Sequence, residues 1–509
     1  MKLECSRNAK KGILYGFINR IVLLLLPFII QTEMIRMLGA DYAGIKGLFS
    51  SILEVFNLAE LGFGSAIVYS MYQPIADGKK DEICALLGLY KKIYQYIGLI
   101  ILFVGMILIP FLPDLIKGSY PGDINLTIVY LMYLMNTVLS YWLFAYRTSI
   151  FTAFQRSDVL SKISTVTQGS SYIIQILILQ IYRDYYLYLS VSIVCTIVNN
   201  LLVYYFSNRL YPEYKCKGSV DKAVVSEIKE KVSGLMIYKI CGTTRNSFDS
   251  IFVSMFLGLT STAMYSNYFY VINAVSGIMG TVSTSLTAGI GNMMKLDSVE
   301  KNRSDMEKLD CLYMTISGWC MICIICLYQP FMEMWAGREL VFPFPIAVMF
   351  GVYFYIQKMG DIRALYADAR GLWWENRYRT IAEAVLNVVL NYLFVRKWGV
   401  YGIIGATILT LLIIGFIGSA FVLYKHYFKK GLTDYFIQHA FYAMITSIVC
   451  IITYKVCLFT SGNVVRILVG RFIICCTIAP LIYILCYYRN GKFKEAFIWG
   501  VSRLDFKIK

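Results

Sequence analysis

The chain has 509 residues and a formal net charge of +17, yet only 16% of its residues are charged, 58% are apolar or aromatic, and the mean hydropathy is +0.61. Soluble domains carry about 25% charged residues, so this composition excludes a water-soluble globular protein. Apolar runs of about 20 residues, the length that crosses a bilayer, recur from end to end and leave no room for a sizeable soluble domain. We therefore expect an all-α polytopic membrane protein.

The N-terminal segment predicts a membrane span that is retained. Four basic residues precede an apolar stretch that continues to about Leu38, which is too long for the core of a signal peptide, and no Ala-x-Ala cleavage site follows. Hydropathy predicts fourteen spans in all, at 12–38, 43–70, 87–112, 124–150, 159–181, 186–206, 233–257, 262–288, 311–332, 343–365, 376–397, 400–424, 437–459 and 465–488.

The distribution of Lys and Arg predicts the orientation of these spans. With the N-terminus inside, the cytoplasmic segments and adjoining helix ends hold 37 of the 48 Lys and Arg residues, the other side holds ten, and Arg20 lies within a span. Short loops rich in Lys and Arg stay in the cytoplasm. We therefore expect cytoplasmic termini and a cytoplasmic 207–231 loop. We attribute the net charge to topology and to attraction to anionic lipid, and we do not expect nucleic-acid binding.

The polar interval 207–231 divides the predicted helices into six before it and eight after it. Secondary transporters are often built from repeated bundles of helices. A shift of 219 residues aligns Met-Leu-Gly (37–39) with Phe-Leu-Gly (256–258) and places Arg20 on Lys239, which is a weak repeat signal. The predicted domains are an N-terminal lobe, a cytoplasmic linker, a C-terminal lobe, and two further helices with a tail, at 1–206, 207–231, 232–424 and 425–509.

Arg245 and Asp249 are the most informative ionisable residues within the predicted spans. Their i,i+4 spacing places them on one helix face, and a rise of about 1.5 Å per residue puts both at membrane depth. Charges at this depth normally face the protein interior or a water-filled cavity. Two interpretations stay open, namely a site for substrate and an internal salt bridge that only stabilises the helix.

Further charged residues extend this candidate site. Glu54 and Glu60 lie on the second helix, where Glu60 could simply pair with Arg20. Three more cations lie near cytoplasmic helix ends, where long side chains can also reach the headgroups. The resulting lining is mainly cationic, and arginine's planar donors suit a diphosphate better than an uncharged sugar. The cationic candidates are Arg20, Lys239, Arg245, Arg147 and Arg363.

Covalent and metal chemistry have little support in the sequence. The triplet Cys320-x-x-Cys323-x-x-Cys326 has spacing typical of metal ligands but lies in an unbroken apolar helix, and the chain has only two histidines. The Gly62-x-Gly64 and Gly402-x-x-Gly405 pairs predict close helix packing, and no Walker motif is present. We expect no catalytic residues, no metal and no cofactor.

The stretches at 38–53, 59–69 and 71–77, which include Leu-Gly-Ala-Asp-Tyr-Ala-Gly and Ala-Glu-Leu-Gly-Phe-Gly, resemble the N-terminal signature of Wzx-type polysaccharide flippases. Tyr-Ser-Asn-Tyr at 265–268 is similar to the matching stretch of their second lobe. The resemblance places the chain in the multidrug/oligosaccharidyl-lipid/polysaccharide (MOP) exporter superfamily. It implies two six-helix lobes around a central cavity, two C-terminal helices, and transport by alternating access.

The resemblance also implies a function. The expected substrate is an undecaprenyl-diphosphate-linked oligosaccharide for O-antigen or capsule synthesis, moved across a bacterial inner membrane without catalysis. Arg20, Lys239 and Arg245 match the cations that hold the diphosphate–sugar head. Glu54, Glu60 and Asp249 are candidates for coupling to H⁺ or Na⁺ by position only. A polysaccharide polymerase is an expected partner, besides the membrane lipids.

Three alternatives share some of these features. A lipid II flippase would have the same fold and a basic cavity, whereas a MATE-like drug exporter would be expected to have a more acidic one. A glycan polymerase or ligase would need a large outer loop with catalytic groups, but the longest predicted outer loop spans only 112–123. The tail at 489–509 has the spacing of apolar and basic residues that predicts an amphipathic helix at the inner membrane surface.

Overall fold

The computed structural model describes residues 2–57, 63–220, 247–488 and 491–505, together with 225, 236, 241–243 and 245. The described part of the chain is almost entirely helical and contains no β-strand, which confirms the all-α prediction. It forms two compact units, Met1–Ala263 and Met264–Lys509. The predicted linker at 207–231 and the predicted lobe boundaries stay predictions.

The first unit contains eight α-helices and three short 3₁₀ turns with described bounds, and helical residues at 247–257 follow them. The helices are α1 (Lys2–Met37), α2 (Ala40–Phe56), α3 (Phe63–Asp77), α4 (Lys80–Leu108), α5 (Leu126–Trp142), α6 (Thr148–Ala153), α7 (Ser157–Ile181) and α8 (Tyr185–Leu210).

A long helix, α9 (Leu259–Leu296), begins in the first unit and continues in the second. The rest of the second unit contains α10 (Val299–Ala336), α11 (Phe344–Lys358), α12 (Asp361–Arg370), α13 (Trp373–Trp398), α14 (Val400–Thr410), a π-helical segment (Leu411–Gly418), α15 (Ser419–Leu423), a second π-helical segment (Tyr424–Phe428), α16 (Leu432–Cys457), α17 (Val464–Tyr487) and α18 (Gly491–Asp505).

Polar side chains define several helix starts. The Asn125 side chain accepts hydrogen bonds from the backbone N–H groups of Thr127 and Ile128 at 3.0 and 3.2 Å at the start of α5. Asp184 accepts one from Leu187 at 2.8 Å at the start of α8. Such caps satisfy donors that a helix leaves unpaired at its first turn, which matters more where water is scarce.

Six helical stretches in the described residues are long and apolar enough to cross a membrane, and there are seven if the bent pair Leu126–Trp142 and Ala145–Ala153 counts as one span. The chain is thus a multi-pass membrane protein. Helical residues coincide with each of the fourteen predicted spans, although residues 58–62, 233–235, 237–240, 244 and 246 lie outside the described part. The six are Lys80–Phe111, Tyr185–Leu210, Val299–Ala336, Val400–Phe428, Leu432–Cys457 and Val464–Tyr487.

Two predicted spans are interrupted. The span predicted at 124–150 bends by 46° after Trp142, where Phe144 adopts a left-handed backbone with φ of +58°. The span predicted at 343–365 is divided between α11 and α12, which the pair 359–360 separates. Hydropathy does not record the first break because the residues around it remain mostly apolar, whereas Lys358, Asp361 and Arg363 lie around the second.

Candidate functional site

Arg245 and Asp249 belong to the first unit, and their burial differs. Asp249 is fully buried, whereas Arg245 is only partly buried. Three serines on the same run, Ser247, Ser250 and Ser254, are also buried. The run therefore combines small polar side chains with one buried carboxylate, which is the composition of a functional or tightly packed membrane helix rather than of a lipid-facing one.

Helix α2 lies directly against this part of the chain. Asp41 Oδ1 accepts a hydrogen bond of 2.7 Å from Thr260 Oγ1, and a Cβ atom at Gly44 would overlap the backbone at the start of α9. Further along α2, the exposed Glu54 lies close to the Ser247 hydroxyl. The structure thus brings Glu54 next to the run that carries Arg245 and Asp249.

Arg20 lies on α1 and is exposed, with no hydrogen bond or ion pair to any described residue. The preceding residue holds α1 on α7, because Asn19 Nδ2 donates to Thr165 Oγ1 at 2.9 Å and to the Ser161 carbonyl at 3.3 Å. Lys239 and Glu60, the other predicted members of this group, lie outside the described residues.

Arg147 is buried, with 5% of its surface exposed, so the alternative in which it reaches the headgroups is wrong. Its Nη1 atom donates to the Tyr214 carbonyl at 2.8 Å and contacts Ser207 Oγ at 3.5 Å. The guanidinium also lies 5.6 and 5.8 Å from the ring centroids of Tyr146 and Tyr204. These contacts hold the polypeptide after α8 against the bent α5–α6 pair.

Arg363, in the second unit, is also buried rather than directed to headgroups. Its Nη1 donates to the Phe416 carbonyl at 2.9 Å, and its Nη2 contacts the Gly415 carbonyl at 3.4 Å. From α13, Arg379 Nη1 donates to the Ile414 carbonyl at 3.2 Å. Three consecutive carbonyls of the first π-helical segment therefore accept hydrogen bonds from two arginines, which offsets the weaker backbone pairing of a π-helix.

The second unit contains a buried polar pair that the sequence analysis missed. Asp310 Oδ2 on α10 and His439 Nε2 on α16 lie 2.6 Å apart, and each residue is at most 2% exposed. The Phe416 ring packs on the imidazole with centroids 4.8 Å apart. Buried ionisable pairs at membrane depth are uncommon and frequently functional. The only signal in the sequence was that His439 falls inside an apolar span.

Three cysteines of the second unit have sulfur atoms within 4.8 Å of one another, and all three are fully buried: Cys326, Cys457 and Cys475. Among the described residues this is the group whose spacing suits a metal ion, and thiolates favour soft ions such as Zn²⁺ or Cu(I). Only one member of the predicted Cys-x-x-Cys-x-x-Cys triplet belongs to it. In an apolar setting these thiols also pack well as small hydrophobes.

No family model and no curated protein matches the chain. Solved structures do match it. The lipid II flippase MurJ, in an inward closed conformation, aligns with a TM-score of 0.67 and 15% identity over 94% of this chain and 98% of its own. A multidrug resistance MATE family transporter of the MOP superfamily, in an inward-facing conformation, aligns with a TM-score of 0.66 and 12% identity over 82% of this chain and 98% of its own.

A third similar structure is a mutant of the Vibrio cholerae MATE transporter VcmN, with a TM-score of 0.58 and 15% identity over 85% of this chain and 99% of its own. Identities this low establish a common fold and leave the substrate open. The chain therefore has the fold of the transporters of the MOP superfamily.

Proposed function

We propose that the protein is a flippase that moves an undecaprenyl-diphosphate-linked oligosaccharide from the cytoplasmic to the periplasmic leaflet of a bacterial inner membrane. Transport occurs by alternating access coupled to an H⁺ or Na⁺ gradient and supplies O-antigen or capsule synthesis. Both termini are cytoplasmic. The product would pass to a polysaccharide polymerase, which is the partner that this reaction order requires.

The observation that carries the proposal is the exposed guanidinium of Arg20, which the sequence predicts to lie within a membrane span, together with the partly buried Arg245. A diphosphate must lose much of its hydration to enter a membrane protein, and fixed cations offset that cost. Guanidinium groups bind phosphate oxygens through two parallel hydrogen bonds. We assign Arg20, Arg245 and Lys239 to the diphosphate.

The other candidate residues have different proposed roles. Asp249 and Glu54, with Glu60, are the carboxylates that could bind the coupling ion, since an Asp buried at membrane depth changes its interactions when it gains a proton or a metal ion. Arg147 and Arg363 already donate to backbone carbonyls, so any contact they make with substrate would compete with those hydrogen bonds.

The fraction of this chain that aligns with each solved structure favours a lipid-linked substrate over a drug. The lipid II flippase aligns with 94% of this chain, whereas the two MATE transporters align with 82% and 85%. Lipid II is therefore the second candidate substrate. Both candidates combine a polyprenyl tail with a diphosphate and a saccharide, so only a direct comparison separates them.

Purified protein in proteoliposomes tests the proposal. Undecaprenyl-diphosphate oligosaccharide, lipid II, and a cationic dye such as ethidium are supplied separately, and translocation is followed by the access of an impermeant reagent to each headgroup or by dye efflux. We expect movement of the oligosaccharide lipid. It should be lost in Arg20→Ala but retained in Arg36→Ala, which removes an exposed cation near the end of the same helix. Export of the dye alone would contradict the proposal, and movement of lipid II alone would establish the second candidate.

A further inference from the structure

A small cavity lies inside the first unit, between α2, α5 and α8. Its volume is about 130 Å³. Since one water molecule occupies about 30 Å³ in the liquid, the cavity has room for one small ion and a few waters. The lining is predominantly polar and includes Lys46, Ser50, Tyr133, Asn136 and Ser192.

Among the described residues that line this cavity, Lys46 is the single cation, and no carboxylate accompanies it. Its Nζ atom donates to Gln31 Oε1 at 3.1 Å and forms no ion pair with any described residue. The acids near these helix ends have other partners, since Asp41 accepts from Thr260 and Asp123 accepts from Tyr42. Lys46 is only partly exposed to solvent, and an ammonium group that loses part of its hydration without gaining a counter-charge is destabilised.

Two polar side chains that line the cavity, Ser192 and Asn136, each accept one hydrogen bond and keep a donor group available. Ser192 Oγ accepts from Gln175 Nε2 at 2.7 Å, so its hydroxyl proton remains to be donated. Asn136 Oδ1 accepts a hydrogen bond from Thr196 Oγ1 at 2.7 Å, and this contact assigns the orientation of the Asn136 amide. The amide N–H groups of Asn136 therefore point away from Thr196. A group of donors around one ammonium suits an anion and disfavours a metal cation.

We propose that this cavity is a binding site for a small monovalent anion of the halide class, with chloride as the physiological ligand. Lys46 supplies the opposite charge, and the Ser192 hydroxyl and the Asn136 amide replace part of the ion's hydration shell. One ammonium balances one monovalent anion, whereas a phosphate would leave excess negative charge in an apolar environment. The site is separate from the residues assigned to the diphosphate and does not depend on the substrate.

Chloride-35 NMR tests the site, because quadrupolar relaxation broadens the chloride line when the ion exchanges with a protein site. The probe is KCl with full-length protein in lipid nanodiscs, and potassium bromide serves as competitor. We expect saturable broadening in the wild type that bromide reverses. Lys46→Met should abolish it, since the cation is lost while the volume is kept. Lys117→Met, which removes an exposed lysine of the same unit, should leave it unchanged.

A second variant and a second measurement guard against misfolding. Ser192→Ala keeps the charge and removes one donor, so chloride should bind about tenfold more weakly, as expected for a hydrogen bond to a charged group. Chloride in place of gluconate at equal ionic strength should raise the thermal unfolding midpoint of the wild type but not of Lys46→Met. Saturable broadening that persists in Lys46→Met, or its absence in the wild type, would overturn the proposal.

Discussion

Replacing Arg363 by Met distinguishes a structural role of this residue from a role in substrate binding. The side chain donates to the Phe416 carbonyl at 2.9 Å and contacts the Gly415 carbonyl and Tyr435 Oη at 3.4 and 3.5 Å. Its guanidinium carbon lies 5.3 Å from the centroid of the Phe416 ring. Met restores most of the packing volume but leaves buried carbonyls of the π-helical segment without a donor.

The magnitude follows from these contacts. The 2.9 Å hydrogen bond from a cationic donor contributes about 1.5–3 kcal/mol, and the cation–π contact contributes about 0.5–2 kcal/mol. Loss of the buried charge also removes a desolvation cost of several kcal/mol, which offsets part of this sum. We expect a net loss of about 2 kcal/mol. Since the second unit has about 250 residues, the unfolding midpoint should fall by about 4–8 °C.

Differential scanning fluorimetry of the purified protein in one detergent at one scan rate measures this change. Arg370→Met is the matched control, because Arg370 ends the same helix and is exposed, with a ring contact of 5.6 Å to Tyr427. It should shift the midpoint by less than about 2 °C. If Arg363→Met unfolds like the wild type while transport is lost, the structural reasoning is refuted and Arg363 belongs with the substrate ligands.

Three further predictions concern other parts of the chain. Asp310→Ala should lower the free energy of unfolding by about 1–3 kcal/mol because His439 loses its buried hydrogen-bond partner, and Asp310→Asn should cost less because it keeps an acceptor; thermal unfolding compares them. Gly44→Ala should reduce the yield of folded protein, since its Cβ would overlap the backbone of α9, whereas Gly122→Ala has open space; size-exclusion chromatography measures both yields. A periplasm-dependent reporter fused at Gly218 should be inactive, and activity there would reverse the predicted topology.

Hydropathy predicted most of this fold because a spanning helix needs about 20 apolar residues whatever its neighbours are. It could not predict the π-helical segments at 411–418 and 424–428, the first of which is uniformly apolar. Carbonyls of the first segment accept hydrogen bonds from Arg363 and Arg379, which approach from α12 and α13. The change from α-helical to π-helical hydrogen bonding therefore coincides with contacts from distant parts of the chain. Local helix propensity does not account for it.

The candidate site was predictable to the same limited degree. Depth along a helix can be counted from the sequence, which is how Arg245 and Asp249 were identified. The sequence does not show which side chains pair with each other. Asp310 and His439 are 129 residues apart and meet only after α10 packs against α16. The contact of Arg147 with the Tyr214 carbonyl depends likewise on a segment that sequence analysis had treated as a polar linker.

The central claim is that Arg245 receives the diphosphate of a lipid-linked oligosaccharide. The most direct measurement is the rate of headgroup translocation in proteoliposomes for wild type, Arg245→Ala, Arg245→Lys, and the double variant Arg245→Leu with Asp249→Leu. We predict no translocation by Arg245→Ala, partial activity of Arg245→Lys because an ammonium keeps the charge but loses the planar fork, and no translocation by the double variant. If the double variant is well folded and translocates the headgroup at a near-normal rate, Arg245 and Asp249 only stabilise the helix and the claim is wrong.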